Sequence, residues 1–254
     1  MATAWFGLFG CLLILTPRTD QSAAILGYVL SFSCLAFLLN IGATVRIHRC
    51  GRAQDKLSAW LLFSGLIIVL LPLFELAYAV AALFFGFAQL VLVSALGVRL
   101  GREVQQRSHI WPLMLVALSV DAISLLTPTS FTQGVLSAVT EQPKLHVFLF
   151  SLPIPGVGIE PILGLGDGIF TGFLLGAAWR LDLSIQTALI GIGVGYGLCL
   201  VALILTGTPL PALVFIAPSF ALVFGRALKP NLKELLTAVA FLLVGFMVYS
   251  VLKS

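Results

Sequence analysis

Residues Leu57 to Leu100 read LSAWLLFSGLIIVLLPLFELAYAVAALFFGFAQLVLVSALGVRL, and within them only Glu75 and Arg99 carry charge. One helix crosses a bilayer in about 20 apolar residues, so this run is too long for one crossing. Pro72 and Glu75, near its middle, mark a tight turn between two spans. The same pattern fills the rest of the 254-residue chain, which is 60% hydrophobic and 9% charged, against about 25% charged in soluble domains. The predicted fold is all-α: a single membrane domain, 1–254, built as a polytopic bundle of about nine transmembrane helices.

The other spans follow by the same reading. A short first span covers Ala2 to Leu15, with an uncleaved signal-like segment as the alternative, and Ala23 to Val45 is the second. Beyond Leu100 come Ile110 to Thr127, Pro161 to Ala178, Ser184 to Leu205, Pro211 to Arg226 and Glu234 to Leu252. If the spans alternate, Arg46, Arg49, Arg52, Lys56, Arg99, Arg102, Arg107, Arg180, Arg226, Lys229 and Lys233 share one side, and only Arg18, Lys144 and Lys253 the other. The positive-inside rule makes the first side cytoplasmic. It therefore predicts a cytoplasmic N-terminus and an external 128–160 loop. The net charge of +4 thus serves topology, and nucleic-acid binding is excluded. Cys11, Cys34, Cys50 and Cys199 have no metal-ligand spacing and read as packing residues.

Two acids fall inside spans, where a carboxyl is expensive and marks a functional site. Asp121 lies six residues before Thr127, and Asp167 six residues after Pro161. On continuous helices each sits about 9 Å below the outer surface. No Lys or Arg lies within these spans, which leaves each acid the other, water and backbone donors. Two carboxyls in hydrogen-bond reach share one proton. One can then take a proton from water while the other polarises a peptide carbonyl. Gly164, Gly166 and Gly168 clear side chains from around Asp167 and admit another helix, a substrate strand or water.

Gly164-Leu165-Gly166-Asp167 resembles the Gly-x-Gly-Asp motif of the presenilin and signal peptide peptidase family of intramembrane aspartyl proteases, and Ile169-Phe170 extends the likeness to presenilins. The stretch from Val120 to Pro128 resembles the family's first aspartate helix, with Val120 where tyrosine is usual. Pro211-Ala212-Leu213 matches the family's Pro-Ala-Leu motif, and all three motifs stand in the family's order. The resemblance implies Asp121 and Asp167 as catalytic residues. It also implies Gly164, Leu165, Gly166, Pro211, Ala212 and Leu213 as residues that position substrate. It covers residues 110–226, preceded by N-terminal helices (1–109) and followed by a further helix (227–254). Four spans precede Asp121 where the family has five, and the last helix is additional. The implied partners are single-span membrane proteins or signal peptides, in contact with the lipid bilayer, with no cofactor and no metal. An external 128–160 loop resembles signal peptide peptidases more than presenilins and suggests type II substrates.

A helical substrate must be unwound before its carbonyls can be attacked. The segments from Leu145 to Phe150 and from Pro153 to Ile159 are suited to pairing with it by strand addition, or equally to lying at the interface. Rival chemistries lack their residues. There is no His-Glu-x-x-His, and His48, His109 and His146 fall at or outside span ends, against an intramembrane zinc protease. No Gly-x-Ser-x-Gly accompanies a membrane-embedded histidine. A prepilin-peptidase-like protease shares the Gly-x-Gly-Asp aspartate, but Gly168-Ile169 replaces its lysine-containing continuation. A proton-coupled transporter or channel could use the same two carboxyls.

Overall fold

The computed structural model describes residues 38–48, 54–70, 78–126, 149–154, 158–206 and 211–228, and helical residues 232, 233, 235–237, 239, 240 and 243. In chain order these are α1 (38–48), α2 (Gln54–Leu70), α3 (Tyr78–Arg102), a 3-10 turn (Arg107–His109), α4 (Ile110–Leu126), β1 (Leu149–Ile154), β2 (Gly158–Gly164), α5 (Leu165–Arg180), α6 (Ile185–Thr206), α7 (Leu213–Phe224) and a second 3-10 turn (Gly225–Leu228). The helices dominate, as an all-α chain requires. Among the described residues one helix, α6, is long and apolar enough to cross a membrane, 22 residues with mean hydropathy 2.5 over an 18-residue stretch; α7 is apolar but shorter. The expected first span, most of the second, the turn at Pro72 and Glu75, residues 127–148 with Lys144 and His146, and most of the last span lie outside the described residues.

One departure from the expected layout matters for function. Pro161 does not begin a helix: residues 158–164 form a strand, paired antiparallel with β1 from Leu149 opposite Gly164 to Ile154 opposite Gly158. The register slips once, between Phe150 and Ser151, where Pro161 enters the pairing. Proline has no N–H to give a ladder and sits at bulges and on edge strands; among the described residues the ribbon has two strands, and both are edges. The two segments expected to be extended do not pair with each other: Leu149 and Phe150 of the first pair with Gly164 and Leu163, and Pro153 and Ile154 of the second pair with that segment's own Ile159 and Gly158. Only Leu149 and Phe150 of the first are strand among the described residues.

The chain divides into two compact units, Met1–Leu100 with Ala138–Gly176, and Gly101–Ser137 with Ala177–Ser254. In the first, α3 and α5 meet backbone to backbone. A methyl group on Gly97 would strike the carbonyl oxygen of Ile169 and lie 2.8 Å from Cα of Gly172, and one on Gly172 would lie 3.2 Å from the carbonyl oxygen of Ser94. Further along, Val93 faces Gly168. Residue numbers rise together on the two helices, so they run parallel. Phe170 and Phe173 stack with ring centroids 5.6 Å apart, over a core that includes Leu90, Val93, Val98, Leu174 and Leu175. Small residues at a helix crossing trade side-chain burial for close van der Waals contact of two backbones.

In the second unit the same device joins α6 to α7. A methyl on Gly191 would lie 3.1 Å from Cα of Phe220, and one on Gly195 would lie 2.8 Å from the amide nitrogen of Ile216. Here one number rises as the other falls, and the helices are antiparallel. The opposite side of α6 leaves Ile190, Val194, Leu198, Val201 and Leu205 exposed. The turn before α6 has local causes. Asp182 takes a left-handed conformation (φ 51°) that closes the preceding helix, and the Ser184 hydroxyl accepts from the amide of Thr187 as an N-cap. Arg107 adds a hydrogen bond from its guanidinium to the carbonyl oxygen of Leu181 (3.1 Å).

Candidate active-site residues

Each candidate carboxyl is described within its own unit: Asp167 belongs to the first and Asp121 to the second. The strand β2 passes into α5 without a loop, Gly164 ending one and Leu165 beginning the other. Asp167 is therefore the third residue of its helix and lies in its first turn. The expected depth, counted along a helix from Pro161, is thereby overturned: four of those positions are strand, and only two residues of helix precede the acid. What places Asp167 is a helix N-terminus, where free amides and the helix dipole favour a carboxylate.

The three glycines around it do three different things. A methyl on Gly164 would lie 3.3 Å from Oδ2 of Asp167, so the carboxyl folds back over the end of the strand. Gly166 is exposed, and a methyl there would meet nothing within 4 Å. That side of the turn is open. Gly168 is buried, and a methyl there would lie 2.7 Å from Nδ2 of Asn40 and 3.0 Å from Cγ2 of Val93. Leu165 is half-buried.

Asp121 lies on α4, two-thirds of the way along it. Its Oδ2 is shut away from solvent and has no hydrogen-bond partner among the described residues. A buried acceptor in that state costs on the order of 1–3 kcal/mol. In contrast, Ser119 on the same helix returns its hydroxyl to the carbonyl of Leu115 at 2.8 Å.

The Pro-Ala-Leu residues open α7. Ala212 caps it, its carbonyl accepting from the amides of Phe215 (3.0 Å) and Ile216 (2.9 Å), while the carbonyl of Pro211 accepts from Val214 (3.3 Å). Proline suits this place because it has no amide to leave unsatisfied. Ala212 and Leu213 are buried and Pro211 half-buried. Within this unit α4 packs against α7, and the 3-10 turn before α4 meets the one after α7, so the two helices run in opposite directions. Asp121 is eleven residues beyond Ile110, and Leu213 eleven residues before Phe224. At 1.5 Å per residue both stand about 16 Å from the joined turns. Asp121 and the Pro-Ala-Leu segment thus share one level.

The sequence did not single out Asn40, which is 2% exposed on α1 beside Gly168. Its one signal was an amide in an apolar run. Among the described residues no three His, Cys, Asp or Glu side chains come together to hold a metal ion. Comparison with family models, curated proteins and solved structures finds no match.

Proposed function

We propose that the chain is an intramembrane aspartyl protease that hydrolyses peptide bonds of transmembrane helices, with Asp121 and Asp167 as its catalytic residues and water as the nucleophile. The observation that carries this reading is the junction at Gly164: an antiparallel ribbon ends where the carboxyl of Asp167 begins. A peptidase needs an extended backbone held beside a carboxyl, and a ribbon whose outer edge can accept another strand supplies the first requirement. A transporter binding a proton or cation has no such need. The motif resemblance contributes the identity of the second acid and of Pro211, Ala212 and Leu213 as substrate-positioning residues. In chemical terms, the ionised carboxyl takes a proton from water, and the protonated one donates toward the scissile carbonyl.

A multi-pass arrangement of about nine spans, with the N-terminus cytoplasmic, belongs to this proposal. The helix directions fit it. Alternating spans make α3 and α5, the fourth and sixth, parallel; they make α4 and α7, and α6 and α7, antiparallel. The exposed apolar row on α6 suits lipid.

The test is product analysis. Purified protein in liposomes is incubated with a single-span substrate. Two fragments are expected, both lost in Asp121→Asn, in Asp167→Asn, and with a hydroxyl-containing peptide-isostere inhibitor. Proton-dependent solute uptake without fragments would establish the transporter instead. Cysteine labelling of the 128–160 loop from the cytoplasmic side alone would overturn the orientation and with it the preference for type II substrates.

A further inference from the structure

Polar side chains inside an apolar bundle are costly unless satisfied, and those retained there mark function. The first unit holds several: Asn40 and Thr44 on α1, Ser94 on α3 and Thr171 on α5 are each 2% exposed or less. Two of them are joined. The hydroxyl of Thr44 donates to Oδ1 of Asn40 at 3.3 Å, one helical turn away. In this arrangement Oδ1 accepts from Thr44 and Nδ2 takes the other side. The other side is the first turn of α5, where Nδ2 occupies the space beside Gly168.

We propose that Asn40 is a positioning residue for Asp167: its amide, oriented by Thr44 and wedged against Gly168, fixes the helical turn that carries the carboxyl. This rests on the protease reading. Three features of the contact favour it over simple packing. It falls one residue from the acid. It presents a donor-bearing end, with two N–H groups, to a turn whose job is to hold an acceptor. It also requires glycine at 168, where Val93 closes the remaining room. An apolar side chain of similar size would fill the same volume without cost to the bundle, so packing alone gives no reason for an amide. Asn40 needs no contact with substrate to act; a carboxyl displaced by a fraction of an ångström loses its alignment with the reacting carbonyl.

The test uses the full chain in liposomes with a single-span substrate, with wild type and Asp167→Asn as references. Asn40→Ala and the isosteric Asn40→Asp should each lower kcat at least about tenfold while KM stays within about twofold. Gly168→Ala should lower both Tm and kcat, because its methyl meets the amide. In the double variant Asn40→Ala/Gly168→Ala the clash with the amide is gone and only the 3.0 Å contact with Cγ2 of Val93 remains, so Tm should return part of the way toward wild type while kcat stays low. Recovery of kcat together with Tm would show that the contact is steric only, and would overturn the proposal. So would wild-type kcat in Asn40→Ala. Cleavage that is present in wild type and absent in Asp167→Asn keeps the protease reading standing in either case; no cleavage by wild type removes both.

Discussion

The carboxyl of Asp167 lies folded over Gly164, the last residue of the strand that leads into its own helix, with 3.3 Å between Oδ2 and the place a methyl on that glycine would occupy. Contacts that short oblige the neighbour to give way by a few tenths of an ångström. The first prediction separates this glycine from its neighbour. Gly164→Ala should shift the carboxyl and lower kcat about tenfold or more, with Tm nearly unchanged. Gly166→Ala meets open space; it should raise helix stability by up to about 1 kcal/mol, and Gly166→Leu should raise KM by obstructing the open side of the turn. Cleavage kinetics and thermal melts in the same detergent check both. Equal effects at 164 and 166 would mean that the fold of the carboxyl over the strand has no part in activity.

Asp121 makes a different prediction, because its cost and its use point in opposite directions. An oxygen buried without a partner among the described residues is destabilising, so removing it should stabilise the fold while abolishing cleavage. Asp121→Leu should raise Tm by a few degrees and leave no detectable product, and Asp121→Asn should also be inactive. Melting curves and fragment yield are the measurements. A fall of several degrees in Asp121→Leu would mean that the carboxyl is paired and structural.

How far these features were legible in the sequence follows from the physics of each. Helices α2 to α7 were readable because each holds a long, nearly uncharged apolar run bounded by Pro, Gly or basic residues. Their ends were less so, as the 161–164 segment shows. Pro161 looked like a helix start, but Glu160 and Pro161 belong to a strand, opposite Leu152 and Ser151 eight and ten residues back, and such pairing leaves no mark at the proline itself. The candidate acids were legible for the opposite reason: a carboxyl is conspicuous against a background that excludes it. Asn40 was not, because an amide is only mildly costly and its meaning depends on Gly168, 128 positions away in the chain.

The glycine crossings give a prediction about stability alone. A methyl at Gly97 or Gly195 has backbone atoms on the far side, and backbone cannot swing away as a side-chain end can. Gly97→Ala and Gly195→Ala should each destabilise by about 1–3 kcal/mol or prevent folding. Gly65 and Gly193, where nothing lies within 4 Å, should accept alanine with a gain of up to about 1 kcal/mol. Thermal unfolding followed by tryptophan fluorescence distinguishes the two sets. Similar Tm values for both sets would be incompatible with close backbone crossings of α3 with α5 and of α6 with α7.

The ribbon provides the sharpest separation between a peptidase and any other use of the same acids. In an antiparallel pair, successive residues alternate between pointing their N–H at the partner strand and pointing it away. Proline at an inward position breaks the ribbon; at an outward position it removes a donor only from the edge where a third strand would add. A proline scan over the non-proline residues of Leu149–Ile154 and Gly158–Gly164 should therefore show two classes. One loses both amide-exchange protection across the ribbon and cleavage. The other keeps the protection and still loses cleavage at least about tenfold, because an edge without its N–H groups cannot hold an extended substrate. Strand addition is wrong if every proline that preserves the ribbon also preserves cleavage.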